Sequence, residues 1–165
     1  MRTILFSLLA CVLSLSCSDL GMSPEDREFN VMMQYGITAK NEINTFRDTY
    51  TKDLILNGTI TVHFVLPQSD LDRISNKAIE IDFFNYPDVF FLQSTDTIWS
   101  GIYPFETFRV RIKSHSTIKT VYWEQRYFAT DPRADKLKEL INLVREIVES
   151  KPEYQRLPAP SGGYI

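Results

Sequence analysis

Cysteine is nearly missing from this chain of 165 residues: there are two, Cys11 and Cys17, both inside or at the edge of an N-terminal apolar run. The remainder therefore has no disulfide framework, no thiolate metal site and no cysteine nucleophile. Histidine is as scarce. His63 and His115 are the only two, and neither has a second ligand at metal spacing, so both read as structural residues and no metal site is expected. Glycine is thin at six residues, and no glycine-rich phosphate loop, G-x-S-x-G elbow, HExxH or Cys-His set is present. No catalytic residue and no cofactor is assigned. Charge of one sign is also lacking: a net charge of -3 supplies no cluster of cations of the kind that nucleic acid requires. The acidic pair beside the aromatics, Asp82 and Asp88, flanks a turn and reads as capping chemistry. Finally, there is only one long hydrophobic run, and residues 3–15 are too few to span a bilayer comfortably.

What that run does have is the form of a signal peptide. Met1 and Arg2 give a short basic start, TILFSLLACVLSL (3–15) is the apolar segment, and Ser16 and Cys17 close it. The order apolar, small residue, cysteine resembles the bacterial lipoprotein signal, although Ser14 and Leu15 stand in inverted order relative to that pattern. The resemblance implies cleavage before Cys17, acylation of its thiol (palmitate among the chains) and anchoring in a membrane by two or three chains, which is stable where one chain is marginal. Ser18 rather than Asp follows, which implies outer-membrane placement if the source is Gram-negative. Residues 1–16 are thus expected as signal and 17–28 as a lipidated flexible tether, reaching about 5–6 Å times the square root of its length.

Residues 29–165 read as one domain with an extended C-terminal tail, long enough to bury its own core. Phe29, Val31, Met33, Tyr35 and Ile37 alternate with smaller or polar residues, as in a strand with one buried face. A second strand is expected over 43–54 and a third over 59–66, joined by a three-residue loop at Leu56, Asn57 and Gly58 that pairs Leu54 with Ile60 and Tyr50 with Phe64. A helix follows, with Ser69 as its cap and Asp72 completing a capping box; Leu71, Ile74, Ala78 and Ile81 form its apolar stripe. Phe108, Val110 and Ile112 then alternate with Arg109, Arg111 and Lys113. If Ser114 pairs with Thr117 across the turn at His115 and Ser116, Val110 faces Val121, Phe108 faces Trp123, and Arg109 gains Glu124 as a diagonal partner. Asp131 with Pro132 starts a last helix whose stripe is Leu137, Leu140, Ile141, Val144, Ile147 and Val148, and Pro152 stops it. The order is βββαββα, an α+β fold: an antiparallel sheet of about five strands with two helices on one face.

Two features stand out as candidate binding surfaces. One is the basic stripe Arg109, Arg111 and Lys113 on the open sheet face, set against the plainer role of a solvated face. The other is the aromatic connection 83–105, where Tyr86, Trp99 and Tyr103 form a stacking platform unless they seal the end of the core. The segments NTFRDTYTKDL (44–54), EIDFFNYPDVF (80–90) and ADKLKELINLVREIVESKPEYQRLPAPSGGY (134–164) are similar to those of uncharacterised bacterial lipoproteins and secreted proteins. That resemblance carries no activity and no site residue. The expectation is a non-enzymatic binding domain of the bacterial cell envelope, held to the membrane through Cys17, with an envelope protein or a glycan as partner. The alternative is a carbohydrate- or peptide-binding accessory protein that uses the aromatic connection.

Overall fold

The computed structural model describes residues 23–91, 103–126 and 131–164. The signal run, Cys17, most of the tether, Trp99 and Ile165 lie outside the described residues. The elements are β1 (Phe29–Tyr35), β2 (Asn41–Asn44), β3 (Thr49–Asp53), β4 (Thr59–His63), α1 (Gln68–Glu80), β5 (Val89–Phe90), β6 (Thr107–Ser114), β7 (Thr117–Glu124), α2 (Pro132–Glu149) and α3 (Pro152–Gln155). They make an α+β fold with one seven-stranded sheet in the order β4-β3-β2-β1-β6-β7-β5. Every pairing is antiparallel except β5 with β7. The sheet is therefore mixed and larger than the periodicity alone implied.

Alternation decides which face is covered. Val31, Met33, Ile43, Tyr50, Val110, Ile112, Val121 and Trp123 point to one side and are buried beneath the helices. α1 contributes Leu71, Ile74 and Ala78, and α2 its whole expected stripe from Leu137 to Val148. The helices run antiparallel: Lys77 bonds Glu139 at 3.4 Å, while Lys151 at the far end of α2 meets Asp70 at the start of α1. Asp131 caps α2 by accepting from the Arg133 N–H at 2.9 Å, with Pro132 in the first turn as expected.

The β6–β7 hairpin has the register read from the sequence, including Ser114↔Thr117, Val110↔Val121 and Phe108↔Trp123. Other expectations need correction. The strand placed over 43–54 is broken by a turn at 45–48. Thr45 leaves the ladder because its hydroxyl oxygen takes the Val31 N–H at 2.8 Å, and Asp48 adopts a left-handed φ of 50°. The β3–β4 loop has five residues, pairing Tyr50 with Val62 and Lys52 with Ile60. This two-residue shift keeps every side chain on its expected face. The loop closes with the Leu54 N–H on the Gly58 carbonyl at 2.8 Å and packs on the tail: Ile55 bridges Ser161, and Leu54 and Leu56 exchange backbone hydrogen bonds with Ser161. Gly58 is left-handed, φ 73°, as the turn required. Ser69 does not cap α1. Pro67 holds that position, its carbonyl accepts from Asp70 and Leu71, and Asp72 accepts from Gln68 instead.

The first part of the aromatic connection is core. Phe83, Tyr86, Phe90 and Trp123 form a continuous series of ring contacts, with centroids 5.5–6.2 Å apart, that closes one end of the layer. Within it β5 pairs with β7, tied by Tyr122 N–H to the Asp88 carbonyl at 2.8 Å and by Lys119 to the Asp88 carboxylate at 2.6 Å. Two residues are too few to leave a periodic signal, which is why this strand is invisible in the sequence.

Candidate functional site on the open sheet face

With both long helices on one side, the other face of the sheet carries polar rows. Opposed residues across the strands give Thr51–Glu42–Gln34–Arg109–Tyr122, then Thr49–Asn44–Met32–Arg111–Thr120, then Asn30–Lys113–Ile118. His63 stands beyond Thr49 on the edge strand. A cleft of about 400 Å³ opens here, lined among others by Met32, Glu42, Asn44, Phe46, Arg47 and Arg111. Glu25, Lys113 and Ile118 complete the lining.

The cleft exists because the 45–48 turn folds over the sheet. Arg27 holds that turn with a bidentate ion pair to Asp48 (2.6 and 2.8 Å) and a bond to the Thr45 carbonyl at 3.2 Å. Thr45 is locked to β1 by its backbone N–H, which donates to the Val31 carbonyl at 3.0 Å, and by its hydroxyl, 2.9 Å from Asn30 Oδ1. Asn30 in turn donates to the Pro24 carbonyl at 2.8 Å. Phe46 is thereby set where the Arg111 guanidinium lies 5.1 Å over its ring, a cation–π contact.

Three cations without ion pairs line this one cleft, whereas the other cations without ion pairs among the described residues, Lys40, Lys52, Arg109, Lys136, Lys138 and Arg156, lie outside it. Arg27, Arg73, Lys77, Lys119, Arg133, Arg145 and Lys151 all have carboxylate partners. Arg47, Arg109, Arg111 and Lys113 form no ion pair with any described residue, and Lys113 spends its ammonium on the Glu25 carbonyl at 2.6 Å. Glu42 accepts from the neutral amides of Gln34 (2.7 Å) and Asn44 (3.0 Å). Asn44 is only 8% exposed, and its Oδ1 has no donor among the described residues. The expected diagonal pair of Arg109 with Glu124 does not form. Glu124 is taken by Arg126 and by the Tyr122 hydroxyl, both at 2.6 Å and both two residues away on its own strand or just past it. The hydrogen bond to that carboxylate, with burial, raises the Tyr122 phenol, while Arg126 and Tyr122 hold the Glu124 carboxyl below its usual range.

The sequence candidates separate on this geometry. Arg109 and Arg111 stand exposed on the open face, and Arg111 lines the cleft. Tyr86 is buried and donates to the Arg133 carbonyl at 2.8 Å, so its ring faces are occupied and it is no stacking platform. Tyr103 is 80% exposed, with Phe105 at 6.5 Å as its ring neighbour, but it does not line the cleft. Trp99 lies outside the described residues. Phe46, Arg47 and Asn44 were missed because 43–54 reads as one strand, and Glu42 lies just before it. The turn formers Asn44 and Asp48, four apart around Thr45, were the available signal.

A second cleft, of about 290 Å³, lies at the other end of the domain and includes Tyr35, Lys52, Asp53, Glu149, Tyr154 and Tyr164. Tyr35 and Tyr50 share a hydrogen bond of 2.7 Å. Burial pushes the Tyr35 phenol up to about 12 and the Tyr50 phenol further still. Both rings therefore stay protonated at neutral pH, the opposite of what an acid-base role needs. Lys52 is buried with its ammonium 4.4 Å over the Tyr154 ring. This end of the molecule reads as packing and as a seat for the tail. Among the described residues no group of three or more His, Cys, Asp or Glu side chains is placed to hold a metal ion, and no helix is long and apolar enough to cross a membrane.

No family model, no curated protein and no solved structure matches this chain.

Proposed function

We propose that this chain is a lipid-anchored binding protein of the bacterial cell envelope, and that its ligand surface is the cleft on the open sheet face. The address comes from the signal-like run ending in Cys17, which on this reading is the lipidated first residue of the mature protein, in the outer membrane if the source is Gram-negative. The observation that carries the binding role is the set of unpaired cations Arg47, Arg111 and Lys113 around a cleft, in a chain whose net charge is -3. Self-repelling cations are gathered at one place when something anionic is to be met there. The anchor supports this choice of face. Six residue steps from Cys17 to Ser23 reach at most about 20 Å when fully extended, and Glu25 is already a wall of the cleft. A ligand held there is held close to the membrane.

The test is co-sedimentation of the protein with envelopes of its own host. With Cys17→Ser in both proteins to remove the lipid, the parent sequence is expected in the pellet, and Arg47→Glu with Arg111→Glu in the supernatant at unchanged melting temperature. Equal pelleting of the two Cys17→Ser proteins removes the open face as the binding surface.

A further inference from the structure

We propose that the open-face cleft binds a carboxylated saccharide, a sugar chain bearing uronic-acid-type groups. This rests on the reading of the cleft as the ligand surface and adds the class of ligand. Four observations select the class. First, Arg47, Arg111 and Lys113 are without carboxylate partners among the described residues, so a neutral sugar leaves the strongest recognition elements unused. The Arg111 guanidinium, 5.1 Å from the Phe46 ring centroid and without an ion pair among the described residues, has the donor set for planar, bidentate pairing with a carboxylate. Second, the cleft is not purely cationic. Glu42 forms no ion pair with a cation among the described residues, and Glu25 also lines the cleft. A multiply charged phosphate meets repulsion from both, whereas hydroxyl groups donate to them.

Third, the Asn44 amide is nearly buried, its Nδ2 is committed to Glu42, and its Oδ1 lacks a donor. A nearly buried acceptor left without a donor is unfavourable, and a hydroxyl that reaches it on a small rotation of the amide relieves the deficit. A bare anion, having no donor, does not. Fourth, the floor is made by β2, β1 and β6, which are interior strands with neighbours on both sides. No free backbone edge is offered, so an extended peptide cannot add as a strand here. Recognition has to come from side chains that combine anion donors, hydroxyl acceptors and the apolar surfaces of Met32 and Ile118. The volume of about 400 Å³ suits a short saccharide segment.

The experiment is calorimetric titration of the full chain, purified in detergent from its host, with four probes: trigalacturonate, maltotriose, inorganic phosphate and tetraglutamate. Trigalacturonate is expected to bind at least tenfold more tightly than each of the others. Arg111→Ala should weaken it at least tenfold, Arg111→Lys should recover part of the loss, and Glu42→Gln should weaken it without altering the melting temperature. Equal binding of maltotriose removes the carboxylate. Tighter binding of phosphate or tetraglutamate, lost in Arg111→Ala, overturns the saccharide and leaves the binding face standing. If trigalacturonate does not bind while envelope co-sedimentation still depends on Arg111, the class alone is wrong; if both fail, the face is wrong as well.

Discussion

Replacing Arg27 by alanine removes the clamp on which the cleft depends. The guanidinium makes two bonds to the Asp48 carboxylate and one to the Thr45 carbonyl, and its side chain retains 21% exposure against 8% for Asp48. Breaking a fully buried pair by deleting one partner costs about 3–5 kcal/mol, since the other charge stays behind uncompensated. Arg27 is not fully buried, and water that enters in its place solvates Asp48 in part. The expected loss is therefore at or below the lower limit of that range, about 2–3 kcal/mol. For a domain of this size that lowers the melting temperature by about 5–10 °C. Asp48→Asn should cost less, because an amide still bonds the guanidinium, and the double variant should show positive coupling between the two positions. The assays are differential scanning calorimetry and urea unfolding of the four proteins of the cycle. A parent-like melt for Arg27→Ala, or coupling below about 0.5 kcal/mol, refutes the idea that this pair holds the 45–48 turn over the sheet.

The core makes a sharper demand. Ile74 and Val144 are wholly buried under α1 and α2, so Ile74→Asp or Val144→Asp should abolish cooperative unfolding in calorimetry, because either puts an unpaired carboxylate in the apolar layer. The tail supplies a pH dependence. Burial works against ionisation of Asp53, but the Tyr164 hydroxyl, the Ile55 N–H and Lys40 together hold its carboxyl below the ordinary range. A depressed folded-state value means that this contribution is complete above the unfolded carboxyl's value of about 3.9 and is lost as pH falls through the lower folded value. Tail release, read by the Tyr164 ring resonances, is thus expected below about pH 4; Asp53→Asn should loosen the tail already at neutral pH and abolish the acid step. On the address, Cys17→Ser should end incorporation of an alkyne-tagged fatty acid in the native host, and label persisting in the variant removes the lipoprotein assignment.

Legibility in the sequence followed the length of each signal. The β6–β7 hairpin, with eight alternating residues on each side, could be registered residue by residue because a slip of one would have put Arg109 and Arg111 in the core. The α2 stripe, with Asp131 and Pro132 in front, was equally plain. What was hidden depended on contacts between residues far apart in the chain. The 45–48 turn is stabilised by Arg27, eighteen residues before Thr45. The β3–β4 loop packs on Ser161, more than a hundred positions beyond Asn57. Asp70 sits near the start of α1, where a carboxylate is expected for the helix dipole, yet it is buried against Lys151. Of the site, Arg109 and Arg111 were readable as an outward stripe, while their neighbours Phe46 and Arg47 come from a turn that local pattern reads as strand. The aromatic residues misled in one respect: Tyr86 belongs to the ring series that ends the core.

The open face as the working surface can be tested without knowing the ligand, by modifying arginines with phenylglyoxal in intact envelopes and in the purified protein and reading each site by mass spectrometry. Arg47 and Arg111 should be protected in the envelope, while the exposed Arg73 and Arg156, which lie outside the cleft, react equally in both preparations. Equal modification of Arg47 and Arg111 in the two preparations contradicts the assignment of this face.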